Sequence, residues 1–261
     1  MTRAEAHLVL RDIVALHHHL TYFGQAFFDS SVEAALGPKL VQLFRNMRAL
    51  TLWHEHYYYT RERPNDTEVT YFLNMSWKTR FLALNLPYAV TPAATKVSRN
   101  IGVSRQEKPY QAQYLQQSMQ EPCRIALLIF WNACNQVNRP GSLLYRRLSA
   151  QLEIALKAVL PGSSHLMSLW ELLDKHLHKL LLWVLLLGAF ITHDSGLHDG
   201  IDDNDTFLMQ LVEYVRLTSI DGKLYSLEEI ERSLNQFLYL ERIFGNSMGR
   251  LWARLTEQRD T

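Results

Sequence analysis

One run of sequence decides the fold: Leu180-Leu-Leu-Trp-Val-Leu-Leu-Leu-Gly-Ala-Phe-Ile191, twelve consecutive apolar residues between Lys179 and His193-Asp194. A helix that crosses a membrane needs about 20 such residues, and the ends of this run are charged or polar. A helix that is hydrophobic all round is buried inside a protein. The run therefore predicts a helix that crosses the middle of a helical domain, with Gly188 where another helix can approach closely.

Composition and charge indicate an intracellular protein that does not bind nucleic acid directly. The chain has 261 residues, 48% of them hydrophobic, which is enough for one large core. Lys and Arg number 27 against 26 Asp and Glu, so the formal charge of +1 gives no positive field to attract a phosphate backbone. Cys123 and Cys134 support neither a disulfide framework nor a cysteine zinc site, and they indicate a reducing compartment. The N-terminus has no apolar run of a signal peptide, and Glu5 argues against a transit peptide.

Apolar residues recur at helical spacing along most of the chain, and strand-like alternation is almost absent. The spacing predicts a first helix around Ile13, a second over about 31–62 with an interruption at Gly37-Pro38, and a third after an N-cap at Asp66. The side chains predicted to face inward in these helices are Val9, Ile13, Leu16 and Leu20; Leu40, Leu43, Phe44, Met47, Leu50 and Trp53; and Val69, Phe72, Leu73, Ser76, Trp77, Phe81 and Leu84.

The middle of the chain predicts a long loop and then a helical hairpin. Residues 87–109 carry several Pro and Gly residues and few large apolar ones, which indicates an irregular connection within the domain. A helix over 123–137 and a stripe that runs from Leu144 to Val159 form the hairpin. The central helix is predicted to follow over 166–191.

Near the C-terminus, Ser226 and Glu229 have the form of a capping box for a further helix. Gly245 is expected to separate that helix from a short final one. Taken together, these elements predict an all-α fold. We expect a single domain over 1–261, with eight to ten helices around a buried central helix.

The densest group of candidate metal ligands follows the apolar run and comprises His193, Asp194, His198 and Asp199. Imidazole and carboxylate ligands suit divalent cations. A His-Asp pair in an all-helical chain resembles metal-dependent phosphohydrolases of the HD type, in which bound ions activate water. In that family the ligands come from several helices, whereas here they crowd one segment. A metal-dependent hydrolase is therefore an alternative hypothesis to a solvated polar loop.

Catalytic motifs are otherwise missing from the sequence: it has no Gly-rich phosphate loop, no Gly-x-Ser-x-Gly elbow and no His-Glu-x-x-His pair. The histidines of 17–19, 54–56 and 176–178 do not share a helix face locally, since residues two apart diverge by about 200°. We expect no enzymatic activity and no cofactor.

Exposed Phe27-Phe28 or Tyr57-Tyr58-Tyr59 would suit a third hypothesis, a non-catalytic dimerisation module.

Three apolar segments follow one another: Cys123-Arg-Ile-Ala-Leu-Leu-Ile-Phe-Trp-Asn132, Tyr145-Arg-Arg-Leu-Ser-Ala-Gln-Leu-Glu-Ile-Ala-Leu156 and Leu180-Leu-Leu-Trp-Val-Leu-Leu-Leu-Gly-Ala189. In this order they resemble successive helices of the fungal-specific transcription factor regulatory domain. That domain is the all-helical region downstream of a six-cysteine, two-zinc DNA-binding cluster. The resemblance spans about 34–255, and Leu251-Trp252 is similar to the ending of the family.

The resemblance implies a nuclear protein that regulates transcription through coregulator proteins, through self-association or through a small-molecule effector. The DNA-binding cluster of the family needs six cysteines, and this chain has two. The chain would therefore be either the effector part of a longer regulator or a stand-alone relative without the cluster. Trp183 and Gly188 mark where an effector pocket would first be sought in the bundle, with a filled core as the alternative.

Overall fold

The computed structural model describes residues 1–17, 20–86, 118–135, 142–159, 174–194, 207, 211, 214 and 226–257. This part of the chain contains eight α-helices, a 3₁₀ turn over Gln25–Phe28 and no strand, which confirms the all-α prediction. The helices are α1 (Arg3–Leu16), α2 (Ser30–Thr60), α3 (Asp66–Asn85), α4 (Gln120–Asn135), α5 (Leu143–Val159), α6 (Lys175–Asp194), α7 (Leu227–Leu234) and α8 (Glu241–Glu257).

Helix α6 is the buried central helix that the apolar run predicts. Every residue from Leu180 to Thr192 is buried, and the helix packs against α2, α4, α5, α7 and α8. It is apolar and long enough to span a membrane by composition, yet 72% of the window Lys175–Thr192 is covered by the rest of the chain. Asp174 caps its first turn, since Oδ1 accepts hydrogen bonds from the backbone N–H groups of His176 and Leu177 at 2.8 and 2.9 Å. The predicted start at 166 lies outside the described residues.

Trp183 of α6 holds together elements that are far apart in sequence. Its ring lies edge-on to Phe27 and Phe44, at centroid distances of 5.1 and 5.7 Å, and stacks with Phe237 at 6.4 Å. Its Nε1 donates a hydrogen bond to the carbonyl of Leu238 at 2.9 Å. The buried indole is therefore both packed and satisfied, as a tryptophan in a core must be.

Helix α2 confirms the predicted interruption. Gly37 adopts φ 73° and ψ 162°, a left-handed conformation that glycine allows, and Pro38 follows it without an N–H for the helix ladder. The inward residues predicted from Leu40 to Trp53 are all buried.

Helix α3 corrects two predictions. Its N-cap is Asn65 rather than Asp66, with Glu68 completing a capping box. Of the seven side chains predicted to face inward, only Phe72 is buried, with Val69 and Ser76 partly covered. The other four are exposed: Leu73, Trp77, Phe81 and Leu84.

Polar contacts on the opposite face explain how α3 is oriented. Asn46 of α2 donates a hydrogen bond to the buried Thr79 hydroxyl at 3.1 Å. Arg124 of α4 donates to the carbonyl of Ala83 at 2.7 Å. Thr79 and Ala83 are small, so α2 and α4 approach this face closely. The larger apolar face is turned outward.

Gly245 does not separate two helices, as expected from the sequence, but lies inside α8. The helical path is interrupted earlier, over residues 235–240, between α7 and α8. Carbonyls of this segment accept hydrogen bonds from elsewhere: Gln236 from the Ala26 N–H at 2.8 Å and Phe237 from the Gly24 N–H at 3.0 Å. These tertiary hydrogen bonds compete with continuation of the helix. The predicted capping box of Ser226 and Glu229 is present at the start of α7.

Helices α4 and α5 pack on each other as a hairpin would, and the predicted stripe of α5 is buried from Leu148 to Val159. The loop predicted over 87–109 lies outside the described residues.

Substitution of Gly188 by Ala is expected to destabilise the protein by about 1–3 kcal/mol, because the core at this point has no room for a methyl group. A Cβ on Gly188 would lie 2.4 Å from the ring of Phe207. The matched control is Gly249→Ala in α8, where a Cβ meets no atom within 4 Å. That variant should be as stable as the parent or gain up to about 1 kcal/mol from helix propensity. Urea unfolding measures both, and equal stability of the two variants would contradict the close packing at Gly188.

Candidate functional site

A groove of about 1050 Å³ lies between α1, α2 and α3 of the described structure. Its volume is just above the usual range of small-molecule sites, about 300–1,000 Å³. Most of its lining is apolar. The lining side chains are Ala6, Leu8, Leu10, Arg11 and Val14 from α1; Phe28; Gln42, Arg45, Asn46, Arg48 and Ala49 from α2; and Tyr71, Phe72 and Met75 from α3.

Arg48 is the half-buried cation of this groove. Its Nε donates a hydrogen bond to the carbonyl of Phe23 at 2.6 Å. Burial lowers the pKa of the Arg48 guanidinium, which nevertheless stays protonated because arginine starts from a pKa above about 12. Among the described residues no carboxylate pairs with Arg48.

Amide groups connect the groove to the inner face of α3. Gln42 Nε2 donates to Asn46 Oδ1 at 2.8 Å, and Asn46 in turn donates to Thr79. This chain of hydrogen bonds fixes α3 relative to α2. The wall that α3 supplies, which includes Tyr71 and Met75, is therefore held in place.

A second polar feature joins α2 to α8. Glu55 is 1% exposed and accepts hydrogen bonds from Arg242 Nε at 2.9 and 3.0 Å and a further one from Nη2. The guanidinium also lies over the ring of Tyr58, 4.5 Å from its centroid. Burial opposes the charged form of Arg242, but the Glu55 carboxylate raises the pKa of the guanidinium above its ordinary value. Since Glu55 is closed to solvent, this is a structural ion pair rather than a site for substrate.

A third feature is the outward face of α3, which we call the α3 stripe: Leu73, Trp77, Phe81 and Leu84. Their exposed fractions are 52%, 69%, 66% and 58%. The four residues recur at helical spacing, so they form one continuous apolar band. Exposed apolar patches of this kind mark interaction surfaces.

The structure places the predicted metal ligands only in part. His193 and Asp194 form the last turn of α6, while their side chains, and His198 and Asp199 entirely, lie outside the described residues. In the part of the chain that is described, no group of three or more His, Cys, Asp or Glu residues could hold a metal ion.

The space sought beside Trp183 and Gly188 is taken by aromatic side chains. The ring of Phe207 lies against Gly188, and Trp183 is 1% exposed between phenylalanines. The close approach predicted at Gly188 is present, and a filled core occupies the place where an effector pocket would first be sought.

The residues predicted to mediate dimerisation differ in their exposure to solvent. Phe27 is fully buried and Phe28 partly covered, which corrects the expectation of an exposed pair. Tyr58 and Tyr59 are exposed, at 58% and 48%, although Arg242 covers one face of Tyr58.

The other histidines and cysteines considered from the sequence do not form a reactive site among the described residues. The Nε2 atom of His17, the residue that follows α1, lies 3.3 Å from Nδ1 of His56 in α2, a contact that the spacing of histidines did not indicate. Cys123 is buried, and burial raises the pKa of its thiol well above the ordinary value, which makes it a poor nucleophile. Sequence reasoning missed Arg48, because a single basic residue next to apolar helix positions gives no distinct signal.

No family model matches the chain, and no curated protein or solved structure is detectably similar to it. The resemblance to the regulatory-domain family therefore depends only on the sequence segments quoted above.

Loss of the cation of the buried pair should be costly. Arg242→Met leaves the Glu55 carboxylate buried without a partner, and we expect a loss of about 3–5 kcal/mol in the free energy of unfolding. Glu55→Gln should cost less, because the remaining Arg242 side chain is 24% exposed and still lies over Tyr58. Urea unfolding measures both variants.

The control is Arg45→Met, which removes a surface pair with Glu33 whose side chains are 51% and 36% exposed. Such pairs contribute about 0–1 kcal/mol. If Arg242→Met were no more harmful than Arg45→Met, the pair of Glu55 and Arg242 would not be a buried clamp.

Proposed function

We propose that this chain is a non-catalytic regulatory domain of the fungal transcription factor type, acting in the nucleus through protein contacts. The α3 stripe is the observation that carries the proposal. Four large apolar side chains face outward on a helix whose inner face is already packed, so the stripe is available for a partner. The all-helical arrangement around α6 is consistent with the family that the sequence resembles.

The occupant that best fits the stripe is a second copy of the chain. Leu73 and Phe81 lie four residues before and after Trp77. In an antiparallel pair with its two-fold axis at Trp77, Leu73 of one copy therefore meets Phe81 of the other. Such self-complementarity is what an isologous dimer interface requires. Antiparallel helices also place opposite ends of their dipoles together.

The area of the stripe sets the expected strength of association. Two aromatic and two leucine side chains, more than half exposed, offer an apolar surface on the order of 400 Å². Two copies would bury roughly twice that, below the 1,200–2,000 Å² of stable interfaces. The dimer should therefore be weak and reversible, which suits a regulatory contact.

The chemistry of the described residues supports the proposal that the domain is non-catalytic. Glu55 is closed to solvent in its ion pair with Arg242, and Cys123 is buried. The alternative, a metal-dependent hydrolase, depends on His193, Asp194, His198 and Asp199. Elemental analysis of the purified protein separates the two: we expect only traces of divalent metal and no phosphatase activity, and stoichiometric metal would favour the hydrolase.

Self-association through the stripe is tested by sedimentation over a concentration series. We expect the parent chain to pass from monomer to dimer at about tens of micromolar, the range typical of weak interfaces. Trp77→Glu should remain monomeric, because it places a charge at the centre of the apolar contact. The control is Ile154→Glu, a change at a residue of α5 that is 64% exposed.

The outcomes of that experiment are distinct. A dimer abolished by Trp77→Glu and kept by Ile154→Glu supports the proposed interface. A parent chain that stays monomeric at every concentration would exclude self-association and leave a different protein as the partner of the stripe.

The regulatory role itself is tested with a fusion of the chain to an unrelated DNA-binding domain at a reporter gene. We expect the fusion to change reporter transcription relative to the DNA-binding domain alone. Trp77→Glu should remove that change, and Ile154→Glu should keep it. Identical transcription with and without the chain would contradict the proposed function.

A further inference from the structure

The groove between α1, α2 and α3 carries an excess of positive charge. Its lining contains three arginines, and among the described residues no Asp or Glu belongs to it. Arg11 and Arg45 already pair with Asp12 and Glu33, at 3.2 and 2.6 Å. Arg48 is thus the arginine of the lining whose charge is not matched within the described structure.

Arg48 also has donors to spare. Its Nε is used by the carbonyl of Phe23, while in the described part of the chain no acceptor engages either Nη group. A guanidinium presents its N–H groups as a planar fork that matches the two oxygens of a carboxylate. Partial burial strengthens such a pair, because less water screens it.

The remaining lining of the groove favours a ligand with an apolar body. Leu10 and Val14 of α1 face Tyr71, Phe72 and Met75 of α3 across it. A polyanion such as a nucleotide would leave most of its charges against these side chains without partners, which is unfavourable. A ligand with one anionic group on an apolar body matches both the Arg48 guanidinium and the apolar walls that α1 and α3 supply.

We propose that this groove binds a small apolar monocarboxylate, with the carboxylate on the Nη groups of Arg48 and the hydrocarbon between α1 and α3. The binding stands on the groove alone, whereas a role of the ligand as an effector rests on the proposed regulatory function. Helix α3 connects the two, since one of its faces forms the groove wall and the other carries the α3 stripe.

The test uses decanoate and its neutral isostere decanamide as probes in isothermal titration calorimetry of the full chain. We expect one decanoate per chain and markedly weaker binding of decanamide. Arg48→Met should weaken decanoate about tenfold or more, the effect expected for loss of a charged hydrogen bond. The same variant should weaken decanamide binding much less, because the amide oxygen accepts a hydrogen bond but carries no charge.

Arg147→Met is the control, because Arg147 is an exposed arginine of α5 that does not line the groove. It should bind decanoate as the parent chain does. Circular dichroism checks that each variant is helical. Should Arg48→Met fail to fold, the comparison of decanoate with decanamide on the parent chain decides the question without it.

Equal affinity of the parent chain for the two probes, or no decanoate binding at millimolar concentration, would overturn the proposal. Arg48-dependent binding of an acidic amphipathic peptide in place of decanoate would likewise overturn it, in favour of a protein segment as the occupant.

The two proposals can fail separately. Decanoate binding through Arg48 that leaves both dimerisation and reporter output unchanged would support the groove and contradict the effector role. Decanoate binding by a chain that is inactive in the reporter assay would contradict the proposed function and leave the groove standing.

Discussion

Burial of the apolar run of α6 is the constraint on which the rest of the structure depends. Thirteen consecutive residues, from Leu180 to Thr192, are closed to solvent on every side. Full burial of one leucine contributes about 1.5–3 kcal/mol, whereas the net stability of a domain is only about 5–15 kcal/mol. No arrangement that left this helix exposed could be stable in water, so α2, α4, α5, α7 and α8 must surround it.

The need to cover α6 determines which helices keep surfaces for binding a ligand or a partner. The helices that cover α6 use their apolar faces in doing so. Helices α1 and α3 make their principal contacts with α2, one layer further out. The α3 stripe belongs to this outer layer, and the groove lies between this layer and α2. The residues proposed for contacts with partners are therefore largely separate from those that enclose α6, and α2 is the helix that connects the two sets.

The sequence predicts the parts of the fold that local chemistry controls. The buried central helix, the break at Gly37-Pro38 and the capping box at Ser226 all follow from apolar runs, backbone freedom and capping groups. The orientation of α3 does not, because an amphipathic pattern marks an apolar face without saying what covers it. Thr79, a polar residue that faces inward, settles the orientation through a hydrogen bond with Asn46, and only the tertiary structure shows that partner.

The candidate sites were harder to predict than the fold for the same reason. Arg48 is notable only because no carboxylate among the described residues pairs with it, a property that depends on three helices together. The break over 235–240 likewise depends on hydrogen bonds from residues more than 200 positions earlier. The histidines and aspartates that stand out in the sequence lie at the end of α6 and after it, whereas the described groove and stripe lie on α1, α2 and α3.

Hydrogen exchange of the backbone amides of α6 tests the central claim most directly. If α6 is the enclosed centre of the domain, amides between Leu180 and Ile191 should exchange only through global unfolding and be the slowest in the chain. Amides of α1 and α3, in the outer layer, should exchange sooner. Exchange of α6 within seconds to minutes while other helices remain protected would show that this helix is not the core around which the protein is built.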